Sequence, residues 1–107
     1  MRKPVIALLI AGMAGAMATE ASAATRTVRV GDDFFRPRSL SVSAGTVVRW
    51  RFTGRDQHNV VVTRGPVSFQ SALKRSGSYS RKMRRAGTYR IVCSIHQPDM
   101  RMTIRVR

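Results

Sequence analysis

Cysteine occurs once in the 107 residues, histidine twice and tryptophan once, and 5 acidic residues face 20 lysines and arginines. A single cysteine cannot pair internally, so no disulfide framework holds the fold. No apolar run is long enough to span a bilayer, which takes about 20 residues. The longest, Val5 to Ala18, falls well short. Helical spacing of apolar residues is missing from residue 24 onwards, as are internal repeats, low-complexity tracts and linkers. These gaps exclude helical bundles, repeat arrays and a division into several domains.

The first 23 residues read as a leader. Met1-Arg-Lys-Pro-Val is positive, Val5 to Ala18 is apolar, and Ala21-Ser-Ala23 has the small-x-small form that a signal peptidase cuts. Cleavage after Ala23 leaves 24–107 as one small domain, delivered to the periplasm, with secretion or the cell surface as the alternative. In an oxidising compartment an unpaired thiol is a liability unless something occupies it. A metal ion would. The net charge of +15 would hold nucleic acid non-specifically at low salt, but export makes that an implausible physiological partner.

What is present from Val28 onward is alternation with period two. Val28 and Val30 share one side of a run. Leu40 and Val42 share another, as do Val48, Trp50 and Phe52, then Tyr89, Ile91 and Cys93, then Met102, Ile104 and Val106. A further strand is expected over His58 to Thr63. Turns fall at Gly31, Gly45, Gly54, Gly65-Pro66, Gly77 and Gly87. Many short strands between such turns predict an all-β protein, a sandwich or barrel of about seven or eight strands. Phe69 to Lys74 is expected to form at most one short helical turn. Arginine at the outward positions keeps strand edges from pairing with other chains.

The informative stretch is Tyr89-Arg-Ile-Val-Cys-Ser-Ile-His-Gln-Pro-Asp-Met100. It places a thiol, an imidazole and a thioether within eight residues, directly after a strand. His58 is the only other imidazole. Two histidines, one thiolate and a weak axial methionine are the donor set of a trigonal copper site, in which soft sulfur suits Cu(I) and imidazole suits either state. The C-x₂-H-x₃-M spacing with a distant histidine nominates His58, Cys93, His96 and Met100 for one copper ion. Met102 competes for the axial place, but it is in phase with the inward Ile104 and Val106. A zinc hydrolase built on the same residues would lack a third histidine or an evident carboxylate base, since Asp99 is the only acid close in sequence. Catalysis is not expected.

These residues resemble the cupredoxins, most nearly the plastocyanin and amicyanin branch. The matching stretches are Phe34-Phe-Arg-Pro37, Leu40-Ser-Val, Ala44-Gly45 with Val48-Arg-Trp50, His58-Asn-Val60, and Ala86-Gly-Thr-Tyr89 through Cys93-Ser-Ile-His96 to Met100. The resemblance implies a Greek-key β-sandwich with copper near one end, under a loop between the last two strands. It gives Asn59 the part of a second-sphere residue tying the two ligand-bearing segments together, and His96 the part of a near-surface electron doorway. It also implies single-electron transfer between redox proteins by a monomer. The basic surface suits partners with acidic faces, or peripheral contact with an anionic membrane. A copper carrier that hands on metal without a redox role is the alternative, and a basic module for anionic surfaces is a third. Arg55 and Arg101, where they lie at the metal end, are expected to favour Cu(I).

Overall fold

The structure, a computed structural model, describes residues 24–107, and the expected leader lies outside them. Eight strands form in chain order: β1 (Thr25–Gly31), β2 (Phe34–Arg36), β3 (Ser39–Val42), β4 (Thr46–Phe52), β5 (Val61–Arg64), β6 (Ser78–Met83), β7 (Gly87–Val92) and β8 (Arg101–Val106). They make two four-stranded sheets, ordered β2-β1-β4-β6 and β3-β8-β7-β5. Among the described residues there is no helix.

The alternation in sequence becomes the two inner faces. In β4, Val48, Trp50 and Phe52 are buried while Arg49 and Arg51 are exposed. In β8, Met102, Ile104 and Val106 are buried while Arg101 and Arg105 are exposed. A one-residue slip would turn every such side chain over, so burial itself fixes the register. β1 runs parallel to β4 with Val28 opposite Trp50, and β3 runs parallel to β8 with Leu40 opposite Ile104. Between the sheets the rings of Trp50, Tyr79, Phe69 and Tyr89 form a tilted chain, with centroids 5.9–6.3 Å apart. The Tyr89 hydroxyl donates to the Arg85 carbonyl at 2.8 Å, which meets its hydrogen-bonding need at the edge of the core.

Four segments differ from the expectation, one of them β2, whose three residues are too few to show a period. Residues 69–74 make no helical turn. They are extended, bridging His58 to Lys74 and Val61 to Gln70. The strand expected from His58 begins only at Val61, because Val60 N–H donates to the Ser71 hydroxyl rather than to a neighbouring strand. β6 also went unanticipated. As an edge strand it exposes Ser80, Arg81 and Lys82 in succession, which leaves no period-two signal to read.

The register carries a consequence for stability. Ile104→Ala should cost about 2–5 kcal/mol in urea unfolding of the metal-free protein, and its neighbour Arg105→Ala no more than about 0.5 kcal/mol. Equal losses at the two positions would mean that β8 is wrongly phased.

Candidate metal centre

β7 and β8 pair with Val92 opposite Arg101, and the ladder extends one step further where Cys93 N–H donates to the Met100 carbonyl at 3.0 Å. The six residues between are thus pinned at both ends. Inside the loop, His96 N–H donates to Cys93 O at 3.2 Å and Met100 N–H to His96 O at 3.1 Å. Two successive turns therefore bring His96 back over Cys93. His58 arrives from a separate segment, held by reciprocal backbone bonds to Lys74 of 3.0 and 2.9 Å.

The result is a compact set of donors. Cys93 Sγ lies 3.8 Å from His58 Nδ1 and 3.4 Å from His96 Nδ1, and the three donor atoms all lie within 4.8 Å of one another. Bonds of about 2.0 Å to nitrogen and 2.3 Å to sulfur, spread trigonally around one ion, put nitrogen and sulfur about 3.7 Å apart. The observed spacings fit. Cys93 and His58 are fully buried. Met100, whose carbonyl accepts from Cys93 N–H, is buried too and lines a small cavity with His96, Asp33 and Asp99. Soft sulfur with two imidazoles suits copper better than the harder divalent ions, which prefer oxygen. Met102, the rival thioether, has its sulfur engaged in the core, where the Trp50 indole N–H donates to Sδ at 3.4 Å.

Asn59 spans the gap between the ligand segments. Its Nδ2 donates to Ser94 Oγ at 2.9 Å, and its Oδ1 accepts from Ser94 N–H at 2.8 Å. The residue after His58 is thereby fastened to the residue after Cys93.

The sequence reading missed the carboxylates. Asp32, Asp33 and Asp56 come to this end of the sandwich and join Asp99 there. His58 Nε2 meets Asp32 Oδ1 at 3.1 Å, and His96 Nε2 meets Asp33 Oδ1 at 3.2 Å. Asp33 and Asp56 offer oxygens within 4.8 Å of a His96 ring nitrogen. Arg55 and Arg101 are also at this end. The Arg55 backbone binds Asp32, and Arg101 lines a cleft with Asp33 and Asp99. The groups touching the imidazoles are nevertheless anionic. One signal was available: the described residues contain only four acids, and two of them stand side by side at a turn.

The family model for the cupredoxin-like domain matches residues 4–106, and the chain belongs to that family. It is 31% identical over 108 residues to the plastocyanin of Prochlorothrix hollandica, covering 88% of this chain and 82% of that one. Among solved structures it superposes on a Cu(I) form of an amicyanin variant at 26% identity and a TM-score of 0.66, covering 84% of this chain and 89% of the other. It also matches a copper-containing nitrite reductase from Thermus scotoductus SA-01 at 28% identity and a TM-score of 0.66. There the match takes in 76% of this chain but only 22% of the reductase.

Asp32 adds a pH dependence. Backbone N–H groups of Asp56 and Arg55, then the His58 ring, pull its carboxyl down from 3.8 to about 2. A folded value below the unfolded one supplies stability that is complete above about pH 4 and lost as pH falls through about 2. Metal-free wild type should therefore be more stable than Asp32→Asn at neutral pH, with the gap in urea midpoints narrowing between about pH 4 and pH 2. A gap that stayed constant down to about pH 2 would contradict this origin.

Proposed function

We propose that the protein is an exported, monomeric blue copper protein that carries single electrons between redox partners. The observation that carries this reading is the Cys93 sulfur standing 3.8 and 3.4 Å from two imidazole Nδ1 atoms, at one end of a stiff cupredoxin-like sandwich. His58, Cys93 and His96 would hold the copper, with Met100 as a fourth, weaker thioether donor. When bound, copper supplies the redox couple, gaining one electron from a donor protein and passing it to an acceptor. The chain holds the donors in one arrangement through both states. Asn59 and the Cys93–Met100 backbone bond supply that rigidity, so that little rearranges as the charge changes.

Electrons have a short way out. The His96 side chain is 26% exposed, and Ile95 beside it is 53% exposed, so a partner can press an apolar contact against the imidazole. Acidic partner proteins suit the basic body of the molecule, and an anionic membrane face would be attracted in the same way. Residues 1–23 direct it to the periplasm. Catalysis is not part of the reading, because both histidines of the chain are used as ligands.

The visible spectrum is the first test. Copper-loaded wild type should be intensely blue through its copper–thiolate bond, and Cys93→Ser should not. A colourless protein that surrenders its copper readily to a chelator would instead be a metal carrier. In the blue protein, Met100→Leu should keep the metal and raise the reduction potential, because an axial donor has gone. Met102→Leu should leave the potential where it was. If the two substitutions exchanged effects, Met102 would be the axial ligand.

A further inference from the structure

An imidazole offers a metal one lone pair, and its other nitrogen must then carry the proton. Which nitrogen does so is set by the acceptor the N–H finds. Both histidines here meet that condition in the same way, since each turns Nδ1 to Cys93 and Nε2 to a carboxylate. The two carboxylates belong to consecutive residues, Asp32 and Asp33, in the turn between β1 and β2. One turn thus reaches histidines from two separate segments, whose ring centroids lie 4.9 Å apart.

The turn is made for this contact. Asp32 Oδ1 also accepts from the backbone N–H of Arg55 and of Asp56, at 2.9 and 3.0 Å. Gly54 permits that approach, for a Cβ there would run into the Asp32 carboxylate. Asp33 sits at φ 69°, a left-handed conformation that Asp and Asn tolerate better than other side-chain-bearing residues. Both carboxylates lie at the surface, the Asp32 side chain 40% and the Asp33 side chain 65% exposed, so Asp32 covers the buried His58 ring and Asp33 reaches the partly exposed His96.

We propose that Asp32 and Asp33 act as a carboxylate clasp, a pair of positioning residues that present Nδ1 of both histidines to the metal and favour Cu(II) over Cu(I). The inference rests on the copper reading above. Two adjacent anions against the ligand imidazoles stabilise the more highly charged ion, which lowers the reduction potential. They oppose Arg55 and Arg101, which reach the same end of the molecule and favour Cu(I).

Two measurements test it. In copper-loaded protein at low salt, Asp33→Asn keeps an oxygen that can accept Nε2–H, keeps the tolerated backbone conformation and removes the charge. It should shift the equilibrium about three- to tenfold toward Cu(I), about 30–60 mV upward in potential, and added salt should shrink the shift because the group is exposed. An unchanged potential would overturn the electrostatic half of the proposal. The second measurement needs no copper. Long-range nitrogen–proton NMR on the metal-free protein at about pH 8, above the ordinary imidazole range, should show the Nε2–H form of both rings in wild type. Asp33→Asn should retain it at His96, and Asp33→Ala should mix the two forms there. Wild-type rings protonated at Nδ1, or a His96 ring indifferent to Asp33→Ala, would overturn the positioning half. A protein that never turns blue would defeat the copper reading alone, because the ring forms still decide whether the clasp exists.

Discussion

The hydrogen bond from Cys93 N–H to the Met100 carbonyl, at 3.0 Å, is the constraint on which the site depends. It is the last rung of the β7–β8 ladder, placed where that ladder would otherwise splay into a loop. Below it, Tyr89 and Ile91 of β7 and Met102 and Ile104 of β8 are buried in the core. The donors of the loop therefore inherit the rigidity of a packed sandwich and not the freedom of a surface turn. Protein interiors pack as closely as organic crystals. Under the copper reading, a site fixed to such an interior would resist the rearrangement that two oxidation states demand.

The sandwich was legible where strands have one dry and one wet face. β4, β7 and β8 read directly, because Trp50, Ile91 and Ile104 alternate with arginine or threonine. The ligand candidates were legible for a different reason: rarity. With one cysteine and two histidines, there was little choice to make. What escaped notice had no local pattern. β6 lies at an edge with three exposed residues in a row, and residues 69–74 are extended through bridges to His58 and Val61 that no neighbouring residue announces. The carboxylates were missed because Asp32 and Asp33 sit 26 and more residues before the histidines they meet. Only the folded β1–β2 turn brings them there.

Charge in this molecule is sorted, not merely abundant. Lysine and arginine cover outward strand positions over the whole body, whereas the acids of the described residues, Asp32, Asp33, Asp56 and Asp99, gather around the two histidines. Part of the basic surface is thus the solvated side of a sandwich whose edges are kept from pairing. Two of the carboxylates touch the two histidines directly. Charges at contact distance lie well inside the Debye length at physiological salt, about 8 Å, so salt screens them less than it screens the arginines of the strands.

That sorting gives the charges two ranges of action. Charge spread over the strands reaches outward into the solvent, where salt screens it beyond about 8 Å. The carboxylates of Asp32 and Asp33 act at contact distance on two imidazoles, where little water or salt can intervene. Were the chain to carry electrons as proposed, the first kind of charge would govern how often a partner arrives and the second the ease with which the electron leaves. A change of salt would then alter the one far more than the other.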